Sequence, residues 1–369
     1  MATIVLSGYF GYDNAGDEAL LKAMVLTLRR LRPEVHIVVL SGNPAVTRRL
    51  HQVEAVYRYN PVTVLVALSQ ADLVISGGGS LLQDVTGLLT IPYYLLVVLI
   101  AKLLGRKVMF YAQGIGPVRR SFGKYLIKKI ANMVQLITLR DSHSKGRLKE
   151  WGVNRPPLYV TADPVFALYQ GKTEASAKEH KQAVFCVRRW PSFSEMEISI
   201  LEVAKFLLAE GWKISFLPMH VHEDTEYSIK LVQQLSHPQA TVNTTASDFE
   251  QAIDVIGDAD LLIGVRLHAL IFGTMQGVPV VGIAYDPKVR DFLREIELPS
   301  FGDGVPLNPH ALIGEVKRIL ANHDAEREKS RRWAEQMRVR SERNAVLALE
   351  LLQSGEAFSE KNNHGMDRA

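Results

Sequence analysis

Short apolar runs that break off at glycine, each followed by a longer segment with helical spacing, recur along this chain, and few folds accept that pattern. Residues 3–7 (TIVLS) lead into GYFG, residues 73–76 run into Gly77, Gly78 and Gly79, and residues 108–113 end at Gly114-Ile115-Gly116-Pro117. Between such runs lie segments such as 17–31, in which Leu20, Leu21, Met24, Val25 and Leu28 fall on one helical face. Further runs at 36–41, 136–140 and 159–162 continue the series. Strands that are apolar throughout, rather than at alternate positions, belong to a parallel sheet covered on both faces, and helices supply the crossovers. The pattern restarts after a polar stretch at 170–182, with strands expected over 183–188, 213–218, 261–265 and 280–284 and helices over 198–210, 225–235, 249–257 and 268–275. The expected fold class is therefore α/β, with two doubly wound Rossmann-like domains, at residues 1–172 and 183–325. A charged helix at 326–353 is expected to brace the N-terminal lobe, and 354–369 to form a flexible tail. Ligands of doubly wound sheets bind beyond the carboxyl ends of the strands, so two facing sheets are expected to hold a ligand in a cleft.

Composition narrows the functional classes. The 369 residues are 47% hydrophobic and 22% charged, ordinary values for soluble globular domains. A net charge of +4 does not imply nucleic acid, although Arg119, Arg120, Lys124, Lys128 and Lys129 cluster in a way that suits anionic partners. Cys186 is the single cysteine, so the chain has no intrachain disulfide and no thiolate-built metal site. The N-terminus lacks the features of a signal peptide, which leads to the expectation of a cytoplasmic protein. Residues 88–104 (LLTIPYYLLVVLIAKLL) approach the roughly 20 apolar residues of a membrane span. Pro92 and Lys102 interrupt them, so a buried helix or one touching the membrane surface is expected instead.

Several strand ends carry candidate chemistry. The loop GYFGYDNAGDEAL enters a helix, but Asp17 and Glu18 in its first turn would repel a phosphate. It reads as a site for neutral sugar hydroxyls, with Asn14 and Asp17 as partners, or as a plain capped turn. Gly78 and Gly79 form a second loop that suits either backbone approach to an acceptor or tight packing. Arg140 ends a strand and either enters the cleft or pairs with a local carboxylate, and Arg188 and Arg189 end another. The strongest signal is GVRLHAL at 264–270. It delivers Arg266, a planar fork for carboxylate or phosphate, and His268, a proton donor or acceptor near neutral pH, to a helix N-terminus. Lys288 adds a cation at the next strand end. His220, His222, Glu223 and Asp224 read as a polar cleft loop; no metal site is expected.

Together, GYFGYDNAGDEAL, GGGSLLQD, QGIGP, ITLRDSHS, GVRLHAL and YDPKV resemble the polysaccharide pyruvyl transferase family, most closely its bacterial cell-surface type. The resemblance implies a fold like the two-lobed B-type glycosyltransferases and transfer of a pyruvyl group from phosphoenolpyruvate to a sugar as a cyclic ketal. It also implies a lipid-linked acceptor containing N-acetylmannosamine, whose polymer anchors surface-layer proteins. Donor-binding positions then fall on Arg140, Arg266, Leu267, His268 and Lys288. His268 and Arg266 are the expected catalytic pair, and Asn14, Asp17, Gly78 and Gly79 the acceptor side. Phosphoenolpyruvate is a co-substrate, and no separate cofactor is expected. A lipid-linked acceptor fits peripheral contact of 88–104 and 119–129 with an anionic membrane surface. A nucleotide-sugar glycosyltransferase and a non-catalytic two-lobed binding protein are the alternatives.

Overall fold

The computed structural model describes residues 1–85, 87–171, 181–189, 194–246, 248–302 and 307–354. The chain divides into two compact units, one comprising Met1–Tyr12, Leu20–Ala167 and Val339–Ala369 and the other Asp13–Ala19 and Leu168–Arg338. The expected linker at 170–182 and tail at 354–369 lie mostly outside the described residues.

The first unit is built on seven strands: β1 (Thr3–Ser7), β2 (His36–Ser41), β3 (Glu54–Tyr57), β4 (Leu73–Leu82), β5 (Lys107–Ile115), β6 (Leu136–Leu139) and β7 (Leu158–Val160). They pair in parallel in the order β3-β2-β1-β4-β5-β6-β7. The crossovers are α1 (Ala15–Leu31), α2 (Pro44–His51), α3 (Pro61–Gln70), α4 (Thr90–Leu103), α5 (Ser121–Ala131) and α6 (Ser142–Glu150). Local chemistry sets where several begin. Asn43 and Asn60 accept N–H bonds from the first turns of α2 and α3, and each is followed by proline at the first helical position.

Six strands form the second sheet: β8 (Gln182–Cys186), β9 (Lys213–Phe216), β10 (Ala240–Val242), β11 (Leu261–Gly264), β12 (Val280–Ile283) and β13 (Ser300–Phe301). Their order is β10-β9-β8-β11-β12-β13, again all parallel. The helices of this half are α7 (Ser194–Ala209), α8 (Val221–Leu235), α9 (Phe249–Gly257), α10 (Leu267–Met275), α11 (Pro287–Glu295) and α12 (Pro309–Ala321). Asp248, Asp286 and Asn308 cap α9, α11 and α12. The last helix, α13 (His323–Gln353), belongs to the second unit up to Arg338 and to the first from Val339. In the first unit its Asn344 accepts a 2.7 Å hydrogen bond from Thr161 and Arg340 donates to the Thr161 carbonyl at 2.9 Å.

Two readings from the sequence change, and a third, the non-spanning helix at 88–104, holds. The glycines after residue 76 are not a loop: β4 continues through them to Leu82, with a register shift between Gly79 and Leu82. The HVHED segment is not a loop either, since α8 starts at Val221 and takes Glu223 and Asp224 into its first turn. Residues 88–104 become α4 with the turn before it. Tyr94, Leu95, Val97, Val98 and Ala101 are buried in the first unit's core, and among the described residues no helix is long and apolar enough to cross a membrane. Cys186 is buried, and burial pushes its thiol pKa up, which keeps it in the unreactive protonated form.

Candidate active site

In the second unit, β11 delivers Val265 and then Arg266, which turns from extended backbone into the N-cap of α10. The Arg266 guanidinium grips Asp224 with two nitrogens, Nε donating to Oδ2 at 3.1 Å and Nη2 to Oδ1, and Nη2 also donates to Glu223 Oε2 at 3.1 Å. Asp224 is fully buried and its Oδ2 also accepts from the His220 backbone N–H at 3.0 Å. Glu223 takes a second cation, Arg188, at 2.9 Å, and Arg188 Nη1 lies 3.5 Å from the Tyr285 hydroxyl. Burial favours loss of the Arg266 charge, but the Asp224 carboxylate outweighs it and raises the pKa, so Arg266 stays a cation. Burial likewise works against the Glu223 carboxylate, yet Arg266 and Arg188 hold its pKa below the ordinary value. Two guanidinium groups and two carboxylates balance. Lys288 is paired as well, its Nζ 3.8 Å from Asp286 at the start of α11, so the N-terminus of α10 is the positive pole these pairs leave uncompensated. Nη1 of Arg266 has no hydrogen-bond partner among the described residues.

His268 is the second residue of α10. A Cβ on Gly16 would sit 2.0 Å from its Nδ1 and 2.3 Å from its Cγ, so the imidazole lies directly on the glycine. The stretch Asp13–Ala19 belongs to the second unit, where the Ala15 N–H donates to the Met219 carbonyl at 3.3 Å and Asn14 pairs with His220. The Asn14 side chain accepts from Gly16 N at 3.0 Å, and Asp17 follows in the first turn of α1. Asn14, Gly16 and Asp17 thus lie in the same unit as GVRLHAL, with Gly16 against His268, although the sequence suggests different lobes for the two groups. The Leu267 side chain is buried, which leaves its backbone N–H as the group able to meet a ligand.

In the first unit, Arg140 is held locally. It donates to Asp163 Oδ2 at 3.3 Å and to Ser80 Oγ at 2.8 Å, and its side chain is only 7% exposed. A Cβ on Gly114 would come within 2.8 Å of this guanidinium, so the glycine of QGIGP makes room for the arginine. Gly78 and Gly79 have φ of +79° and +80°, where side chains are strained, and both are buried. A Cβ on Gly78 would meet Leu20 at 1.9 Å, and the Gly79 carbonyl accepts from Gln113 at 3.0 Å. Packing accounts for both glycines and leaves an acceptor little surface there. Among the described residues no group of three or more His, Cys, Asp or Glu side chains is arranged to hold a metal.

The model of one family, polysaccharide pyruvyl transferase, matches residues 14–287, well over half the chain. The chain belongs to the polysaccharide pyruvyl transferase family. A relative, the amylovoran biosynthesis protein AmsJ of Erwinia amylovora, is 24% identical over 300 residues, covering 74% of this chain and 71% of AmsJ. Solved structures share the fold at low identity. S. aureus MnaA, solved with UDP, aligns with a TM-score of 0.67 at 10% identity over 97% of this chain and 99% of its own. Anabaena Alr3699/HepE, solved with UDP-glucose, gives 0.64 at 12% identity over 95% and 100%. A glycosyltransferase from Rickettsia africae gives 0.62 at 12% over 96% and 99%. This family member thus shares its fold with two-lobed B-type glycosyltransferase structures and with UDP-N-acetylglucosamine 2-epimerases.

Proposed function

We propose that this family member transfers the enolpyruvyl-derived group of phosphoenolpyruvate to a saccharide as a cyclic ketal and releases inorganic phosphate. The acceptor in this reading is N-acetylmannosamine in a lipid-linked cell-wall polymer precursor. The observation that carries the proposal is the packing of Gly16, between Asn14 and Asp17 in sequence, on His268, two residues after Arg266 at a helix N-terminus. In this reading Asn14 and Asp17 bind acceptor hydroxyls and the imidazole transfers protons. In this scheme the imidazolium of His268 protonates the donor methylene carbon and makes C2 electrophilic. One sugar hydroxyl adds to C2, and its proton returns to His268. A second hydroxyl then displaces phosphate, which leaves with the last proton. Arg266, Lys288 and the Leu267 N–H bind the donor's anionic groups. The decisive experiment incubates the protein with phosphoenolpyruvate and a lipid-linked disaccharide ending in N-acetylmannosamine. Phosphate release matched by an acceptor mass gain of one pyruvyl ketal is expected. Transfer from UDP-sugars, with none from phosphoenolpyruvate, would overturn the reading.

Peripheral contact with an anionic membrane belongs to the same proposal. On α3, α4 and α5, which pack side by side, Val62, Leu65, Val66, Leu96, Leu103, Phe122 and Tyr125 are exposed, as are Leu88 and Leu89 before α4. Lys128 and Lys129 are exposed on α5, and Arg119 and Arg120 just before it. Apolar surface flanked by cations matches the interface of an anionic leaflet.

A further inference from the structure

In the first unit, a buried arginine is ringed by tyrosines. Arg58, 5% exposed, lies 4.5 Å from the Tyr93 ring centroid, 5.1 Å from Tyr94, 5.5 Å from Tyr59 and 5.7 Å from Tyr12. Its Nη1 donates to the Gly8 carbonyl at 2.8 Å and its Nε to the Tyr93 hydroxyl at 3.2 Å. No carboxylate pairs with it among the described residues; the electron-rich ring faces and phenol oxygens stand in for a counter-ion.

The cage orders rings that water would otherwise leave mobile. Tyr9 stacks on Tyr12 at 4.4 Å and 13°, the Tyr12 and Tyr59 hydroxyls are 3.0 Å apart, and Tyr59 leans on Tyr93 at 5.8 Å. Burial, and then the hydrogen bond to Tyr59, raise the Tyr12 pKa, so the phenol stays a neutral hydroxyl. Glycine shapes the floor: a Cβ on Gly42 would meet the Tyr12 ring at 2.6 Å. Yet the outer rings are not buried. Tyr59 is 58% exposed, Tyr57 48% and Tyr9 39%. Rings fixed in place but open to solvent are unusual for packing, which would bury them. They also sit where ligands of this fold class bind, since Tyr9 and Tyr12 follow β1, Tyr59 follows β3, and Tyr93 lies in the helix entered from β4.

We propose that Tyr9 and Tyr59, held by the Arg58 cage, form a stacking platform for a pyranose ring of a saccharide. The ligand presents C–H faces to the rings and hydroxyls to the phenol oxygens. A neutral, hydroxyl-rich ligand fits because Arg58, the charge that the described residues bring to this cluster, is buried against the rings and the Gly8 carbonyl. This inference rests on the saccharide-acceptor reading, but binding tests it without turnover. Saturation-transfer NMR on the full chain, with soluble disaccharides of neutral and N-acetylated hexoses as probes, should show transfer to ring C–H protons. Tyr59→Ala and Tyr9→Ala should each weaken that binding at least fivefold and raise the saccharide KM equally, with the phosphoenolpyruvate KM unchanged. Tyr59→Phe should keep most of the affinity. Binding in the absence of any pyruvyl transfer would sink the enzymatic reading and keep the platform. No saccharide binding by the wild-type chain, or alanine variants that bind and turn over like wild type, would overturn the platform.

Discussion

Two residues separate shape from chemistry at the candidate site. His268→Ala should lower kcat by ~10²–10⁴-fold, the usual contribution of a general acid or base, with the melting temperature unchanged. Near-normal phosphate release by that variant would remove His268 from the mechanism. Gly16→Ala tests how the imidazole is placed. Gly16 is helical, without positive φ, so alanine should help helix stability by up to ~1 kcal/mol. Its Cβ, however, would lie 2.0 Å from His268 Nδ1, and the ring must move. A displacement of about 1 Å at a reacting group can cost ~10²-fold in rate. A folded Gly16→Ala protein with kcat reduced on that order is expected; unchanged kcat would show that the ring's position is not critical. The sequence displayed Arg266 and His268 because strand, arginine and histidine are contiguous. It did not display that Asp224, 42 residues away, is the partner of Arg266, nor that Gly16 lies on His268, because both meetings depend on the packing of other elements. Gly78 and Gly79 were visible as glycines, but the sequence left packing and ligand approach open, because both call for a missing Cβ; the contact of Gly78 with Leu20 favours packing.

Elements with strong periodicity were legible, and those set by a few residues were not. The buried strands β1, β2, β5, β6, β8, β9, β11 and β12 stand close to where their apolar runs lie. The edge strands β3, β10 and β13 have four, three and two residues and no pattern of their own; neighbouring backbone defines them. The start of α8 was readable in principle, since Glu223 and Asp224 complement a helix N-terminus, but their clustering with histidines suggested a polar loop. A carboxylate also sets the entry to α5. Asp84 accepts three hydrogen bonds at 2.9–3.0 Å from the backbone N–H groups of Arg119 and Arg120. Burial alone would raise its pKa, but those N–H bonds outweigh burial and hold it below the ordinary value. A depressed folded pKa means the stabilisation is complete above the unfolded value near 4 and is lost as pH falls through the folded one. Asp84→Ala should therefore cost ~1–3 kcal/mol at neutral pH. Urea melts should show the gap from wild type closing below about pH 4. A gap that persists unchanged at low pH would show that the Asp84 charge plays no part.

For the whole molecule, two parallel sheets and their order follow from the repeated strand–helix pattern, whereas the division of the chain does not. The expected division into 1–172, 183–325 and a C-terminal helix reaching the first lobe does not show that Asp13–Ala19 joins the second unit, because contacts rather than composition decide it. The same holds for surface character. Helix α4 reads from its apolarity as either buried or at the membrane surface, and most of that apolarity is core. The exposed remainder gains meaning only when α3 and α5 add Val62, Leu65, Phe122 and Tyr125 beside it. Leu89 is 77% exposed and Leu103 76%, one at each end of α4. If this face meets an anionic leaflet, two forces act together: apolar insertion, insensitive to salt, and attraction of the basic residues, screened over about 10 Å at 0.1 M salt. Co-sedimentation with phosphatidylserine-containing vesicles should therefore be strong at low salt and weaker, but not abolished, at high salt. Replacing Lys128 and Lys129 by glutamine should cost about 2 kcal/mol, roughly thirtyfold in partitioning, at about 1 kcal/mol per cation. Phe122→Ser with Leu89→Ser should remove the salt-resistant part and leave the salt-sensitive part. Equal binding to neutral and anionic vesicles, or none at low salt, would rule out this face as an anionic-membrane contact and leave a protein partner as the alternative occupant.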